Sequence, residues 1–201
     1  MNLRVEQDGR VRRLTLAALA RRNILDAALA AQLLSELRDA EAHADTGAIL
    51  VDAEGPVFCG GLDFTEPVPN EIFTFGPRSS KPIVMAMQGV AISAGVALLA
   101  NAHVAVVAQG SSFGLTDIRE GRCHPGILAA AAAAIGDGRA RELSLTGRVF
   151  TAPEALSWGL VHAMTPPFEL DDRGSAIAKA LANADPAAVS TILAFHRTTD
   201  D

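Results

Sequence analysis

Apolar positions along this chain fall either in short runs or at helical spacing. Val11–Leu16, preceded by the turn signal Asp8-Gly9, reads as a strand. Leu25, Leu29, Leu33 and Leu37 recur every fourth residue with charges opposite, predicting an amphipathic helix over Leu25–Ala42. Ala48–Asp52, Pro82–Met87 and His103–Ala108 are short apolar runs that read as buried strands, and Ser93–Ala100 reads as a helix of small residues. Helical signals then take over, at Ile127–Ile135, Gly138–Leu145, Thr151–Trp158, Arg173–Asn183 and again from Asp185. Thr151 and Glu154 form a capping box with Pro153 in the first turn and Gly159 as the stop, while Asp185-Pro186 is a second cap-plus-proline start. Strands alternating with helices imply an α/β fold around a buried sheet. Without repeats or a linker, residues 1–201 read as a single domain, with the core in about 1–165 and a helical part over 166–201.

Composition narrows the function classes. With 201 residues, 49% of them hydrophobic, the chain can bury one sizeable core. A net charge of -6 argues against a nucleic-acid partner, and the only basic concentrations are Arg12-Arg13 and Arg21-Arg22, enough for a small anion. Cys59 and Cys123 lack metal-ligand spacing, so no metal site or disulfide scaffold is expected, and a reduced, cytoplasmic setting is the default. Leu14–Ala20 is too short an apolar run for a signal peptide. Residues 89–108 are long enough to raise a membrane span, but Gly95 and Asn101 break the pattern into strand, helix and strand, so no membrane partner is expected.

Two glycine-containing stretches carry the chemistry: Phe58-Cys59-Gly60-Gly61-Leu62-Asp63 and Gln88-Gly89-Val90-Ala91-Ile92-Ser93-Ala94-Gly95. Each follows an apolar strand-like run and can present free backbone N–H groups. Two such donors aimed at one spot would stabilise negative charge developing on a carbonyl oxygen, which suits chemistry on an activated acyl group. Ser93 or Ala94 would start a helix, where N–H groups lack intrahelical partners and the dipole favours an anion. The same small residues also suit a helix packed closely on the sheet, and the first stretch also suits a plain glycine turn capped by Asp63. Asp117 falls between apolar neighbours after Gly114, where partial desolvation would raise its pKa and fit it for proton transfer. Glu120 and His124 lie close by. A turn-capping role for Asp117 and a surface position for His124 are the plainer alternatives.

The order of these stretches resembles the enoyl-CoA hydratase/isomerase family, the crotonase superfamily. The resemblance rests on Arg22-Asn23-Ile24-Leu25, Val57-Phe58-Cys59-Gly60-Gly61-Leu62-Asp63, Lys81 through Gly89 and Ser112-Phe113-Gly114 through Gly121, then on Arg141 through Arg148 and Ala152 through Val161, in that order. It implies a crotonase-like ββα spiral core with C-terminal helices, assembled as a homotrimer or hexamer. The implied substrate is an acyl-CoA thioester, with no separate cofactor and no metal, whose carbonyl oxygen is held between two backbone N–H groups as an enolate forms. By position those donors are Leu62 and Ala94, beside Gly61, and Arg21 or Arg22 falls where relatives put a basic residue near the CoA phosphates.

Several positions depart from the family pattern. Hydratases of the family carry two glutamates flanking the added water; here the first position is Ala97 and the second is Asp117. One remaining carboxylate resembles the isomerase branch, where it shuttles a proton between carbons. Leu62 replaces a small residue and narrows the expected thioester pocket, while a longer Gly121–Gly126 segment brings His124 toward it as an extra polar group. The leading expectation is an acyl-CoA hydratase/isomerase-type enzyme with Asp117 as general acid/base. The alternatives are a dehydratase or decarboxylase of carrier-protein-bound polyketide intermediates, and a non-catalytic acyl-CoA-binding member.

Overall fold

The turn at Asp8-Gly9 joins two strands. β1 (Leu3–Asp8) pairs antiparallel with β2 (Val11–Leu16), from Leu3 opposite Leu16 to Asp8 opposite Val11. β1 escapes the sequence reading because Leu3 alone is fully buried in it; its alternating charges look like a solvated terminus. The structure, a computed structural model, describes residues 2–195. Met1 and the end of the expected helical part, residues 196–201, lie outside the described residues.

Later strands alternate between two sheets. β3 (Ala48–Ala53), β5 (Ile83–Met87), β7 (Val104–Ala108) and β10 (Ala163–Thr165) extend the hairpin in parallel, in the order β1-β2-β3-β5-β7-β10. β4 (Val57–Cys59), β6 (Val90–Ile92), β8 (Ser112–Gly114) and β9 (Val149–Thr151) make the second sheet, in which only the β8–β9 pairing is antiparallel. Each strand of the second sheet has three residues, too few to show any period. That is why the sequence reading finds one sheet and the structure has two.

The large sheet is covered on both faces, which explains its unbroken apolar runs. Ile49, Val51, Ile83, Met85 and Val107 face the main core with α1 (Ala27–Ala42). Leu50, Val84, Ala86 and Val106 face Leu170, Ala178 and Ala182 of a later helix, α6 (Leu170–Ala182). Between them run α2 (Ala94–Ala100), α3 (Pro125–Ile135), α4 (Asp137–Thr146) and α5 (Ala152–Ser157), with α7 (Pro186–Ala194) last. Repeated passage from large sheet to small sheet to helix gives the ββα spiral. The capping box forms as expected, with Thr151 accepting from the Glu154 N–H and Glu154 from the Thr151 N–H at 2.8 Å.

α1 starts at Ala27, later than the apolar spacing predicts. Asp26 caps it, accepting from the Leu29 N–H at 2.7 Å, so Leu25 is left outside the helix. Leu25 instead forms an isolated parallel bridge with Leu62. Residues 89–108, the stretch long enough to suggest a membrane span, are β6, α2 and β7, and no described helix is long and apolar enough to cross a membrane.

Candidate functional site

The displaced Leu25 fixes the first glycine stretch. Its N–H donates to the Gly61 carbonyl at 2.9 Å, and its own carbonyl accepts from the Asp63 N–H at 2.9 Å. In a parallel bridge the central residue turns its N–H and C=O away from the partner, so the Leu62 N–H faces the other side. It makes no hydrogen bond among the described residues. The turn is braced further by the Gly60 N–H on the Arg22 carbonyl at 2.9 Å. Buried Asn23 donates to the Val57 carbonyl at 2.9 Å and to the Glu54 carbonyl at 3.2 Å, holding the Arg22-Asn23 corner, where both residues have φ near +50 (52 and 51).

The second stretch ends in the N-cap of α2. Ser93 is completely buried, with φ 51 and ψ −106. Its N–H donates to Gly114 at 2.8 Å, and its carbonyl accepts from Val96 and Ala97 at 3.0 and 3.2 Å. The N–H groups of Ala94 and Gly95 begin the helix and have no partner among the described residues, as helix starts dictate. The plainer reading of these small residues also holds for one of them. A methyl group at Gly95 would come within 2.9 Å of Cys59 Cβ and 3.0 Å of its carbonyl oxygen, so Gly95 lets α2 lie against β4. The two stretches adjoin, since a methyl group at Gly61 would stand 4.0 Å from Ser93 Cβ.

Asp117 joins this constellation from the 3-10 turn Asp117–Glu120, just after β8. Ser93 Oγ donates to Asp117 Oδ2 at 2.6 Å, the length expected of a charge-assisted bond. Burial pushes the half-buried carboxyl above the ordinary carboxylate range, with nearby Glu120 adding to it; the Ser93 hydrogen bond, His124 and Arg122 act the other way. Asp117 borders a largely apolar cavity of about 160 Å³, lined also by Leu115, Ile118, His124, Ile127 and Leu145. His124 caps α3, its Nδ1 accepting from the Gly126 N–H at 3.2 Å, which leaves the ring proton on Nε2. Its ring rests 4.9 Å from that of Phe73, and burial lowers its pKa although Asp117 pulls the other way.

Not every expected pocket residue is in this cavity. Glu120 is exposed and pairs with Arg122 at 3.7 Å, because its turn presents that side to solvent. Ala97 is completely buried inside α2 and does not line the cavity. Arg21 is held by Asp26 and by Asp63, the latter at 3.0 Å, whereas Arg22 is exposed without an ion pair among the described residues. Ser93, whose hydroxyl meets Asp117, is the residue of this constellation that sequence reasoning undervalued. Its type gave no signal, since a buried serine becomes informative only once its partner is known. Cys59 is sealed in the core, its thiol pushed up to about 11 by burial, and Cys123 is exposed.

Known proteins share this architecture. A family model described as Enoyl-CoA hydratase/isomerase matches residues 6–200. The chain is 29% identical over 199 residues to enoyl-CoA hydratase domain-containing protein 3, mitochondrial, of Rattus norvegicus, covering 92% of this chain and 66% of that protein. It thus spans just under two thirds of the length of that relative. Among solved structures, an enoyl-CoA hydratase from Mycobacterium avium superposes with a TM-score of 0.87 at 32% identity, covering 100% of this chain and 89% of the other. Human enoyl coenzyme A hydratase domain-containing protein 3 does so with a TM-score of 0.93 at 26% identity, covering 100% and 85%. With sequence match and superposition both taking in the two sheets, the glycine stretches and the Asp117 turn, the chain belongs to the enoyl-CoA hydratase/isomerase family.

Proposed function

We propose that this chain is an acyl-CoA enzyme that moves a double bond in an enoyl thioester, with Asp117 as the only carboxylate that handles the proton. The observation that carries this reading is the company Asp117 keeps. It is a carboxyl with a raised pKa on the wall of an apolar cavity, while Ala97 is sealed in the core and Glu120 turns to solvent. Ionised Asp117 takes a C2 proton from a 3-enoyl thioester, and the electron pair moves onto the carbonyl oxygen as an enolate. The N–H groups of Leu62 and Ala94 stabilise that oxygen. Protonated Asp117 then returns the proton at C4, leaving the 2-enoyl thioester, so atoms and charge balance without water.

A cavity of about 160 Å³ is smaller than the roughly 300–1,000 Å³ that encloses a whole drug-sized ligand, so it suits the reacting end of the substrate while the nucleotide lies outside. Arg22 is the better candidate for the CoA phosphates, since Arg21 already serves two carboxylates. Arg22→Ala is expected to raise KM for the CoA thioester about three- to tenfold, less at high salt, with kcat unchanged. The same substitution should leave KM for the short pantetheine thioester, which lacks the nucleotide phosphates, where it was. An equal rise for both esters would remove Arg22 from phosphate binding.

Water addition is the second reading, favoured by His124 sharing the cavity with Asp117. Product analysis separates the two. Incubation with 3-enoyl-CoA should yield 2-enoyl-CoA, and 2-enoyl-CoA should give no more than traces of the 3-hydroxyacyl product. Dominant hydration would assign the second polar role to His124, and tight binding without conversion of either ester would make this a non-catalytic acyl-CoA binder.

A further inference from the structure

We propose that Ser93 is a positioning residue: its hydroxyl ties the Asp117 carboxylate to the very peptide that carries the Ala94 N–H. This rests on the reading of Asp117 and Ala94 given above and adds a residue that the reading does not require. The Ser93 hydroxyl is the only hydrogen-bond partner of the Asp117 side chain among the described residues. It engages Oδ2 and leaves Oδ1 without a partner among the described residues, available to a substrate. Ser93 itself cannot drift, because its N–H is fixed on Gly114 and its carbonyl caps the first turn of α2. One serine therefore sets the distance between the proton-handling oxygen and the donor proposed for the enolate.

The backbone supplies an independent observation. With φ 51 and ψ −106, Ser93 occupies a conformation that glycine adopts freely and residues with a Cβ rarely do. A strained residue with a fully buried hydroxyl aimed at one carboxylate is a sign of what that hydroxyl does. A hydroxyl also suits both states of a proton shuttle. It donates to ionised Asp117 and can accept from the protonated acid, so the contact persists through the cycle. Ser93 opposes the effect of burial on Asp117; the other charged groups around the carboxyl are Glu120, Arg122 and His124, with Cys123 and Arg141 on the same cavity.

Ser93→Gly is the decisive variant, because glycine removes the hydroxyl and relieves the backbone at once. It should fold at least as stably as the wild type, with kcat for 3-enoyl-CoA down about tenfold and KM within about twofold. Its acid limb in kcat/KM should move to higher pH, since Asp117 loses the bond that favours its ionised form. Ser93→Ala should show the same kinetic loss with lower stability. The Asp117 carboxyl carbon resonance, assigned by its absence in Asp117→Asn, gives a readout free of substrate: its titration midpoint should rise in Ser93→Gly. Wild-type kcat or an unmoved midpoint in Ser93→Gly overturns the inference. A raised midpoint in a protein that converts no enoyl thioester upholds the positioning contact and overturns the proposed reaction instead.

Discussion

Asp117→Asn is expected to lower turnover of 3-enoyl-CoA by about 10²- to 10⁴-fold, the usual worth of a positioned acid–base group. The substitution keeps the shape of the side chain, and its amide oxygen can still accept from Ser93 Oγ, now 2.6 Å from Asp117 Oδ2. Binding of the thioester and thermal stability should therefore change little. The pH dependence of the wild type follows from the same environment. Burial raises the Asp117 pKa, and the group must be ionised in the free enzyme to take the first proton. kcat/KM should then fall as pH drops through a midpoint above that of an ordinary aspartate, and that limb should vanish from the residual activity of Asp117→Asn. His124 titrates nearby, but with its pKa lowered by burial and its Nδ1 occupied by Gly126; His124→Gln separates its contribution to the profile. Turnover by Asp117→Asn within about threefold of the wild type would remove Asp117 from the mechanism.

Gly89→Ala should produce the largest loss of stability. Gly89 stands where the chain leaves β5 in the large sheet and enters β6 in the small one, with φ 74 and its carbonyl accepting from Ser112 at 2.9 Å. An added Cβ would fall 1.8 Å from the carbonyl oxygen of Pro56 and 2.6 Å from its carbonyl carbon. Those are backbone atoms beside β4, so relief requires the two crossovers to move apart and not merely a rotamer change. Overpacking in a close-packed interior costs about 1–3 kcal/mol, and the unfavourable φ adds about 1–3 kcal/mol more. A loss of about 3 kcal/mol or more is expected, which lowers Tm by roughly 6–12 °C for a chain of this size. Chemical denaturation against Asp117→Asn as a control checks it. A loss below about 1 kcal/mol would mean that the approach of the two crossovers is loose. Activity should fall at least in step with the folded fraction, because the displaced crossovers lead into the strands that precede the Leu62 and Ala94 N–H groups.

The sequence disclosed the large sheet better than the small one, and the reason is length. β2 and β3 are six residues each and β5 and β7 five, enough for apolar runs to stand out. Of the three-residue strands beside the glycine stretches, β6 is held by partners at both sides and β4 by β6 alone, and nothing local demands either. The helix over Leu25–Ala42 was legible from its apolar spacing, but its start was not. Leu25 continues the spacing, yet the Asp26 cap ends the helix before it, and Leu25 is used to hold Gly61 and Asp63.

The candidate site divides the same way. By itself the sequence determined that the chain builds an α/β fold of the hydratase/isomerase family, that alanine occupies position 97, and that the acid at position 117 is an aspartate with Leu115 and Ile118 close by. These follow from residue type and local order, which a linear pattern records. Only the tertiary structure decided that Ser93 holds Asp117, that Glu120 faces solvent, that Arg21 is occupied and Arg22 exposed, and that His124 shares the Asp117 cavity. Each of those depends on the distance and direction between groups on different elements. Hydrogen bonding and desolvation act over a few ångströms of space, and the separation along the chain does not fix them.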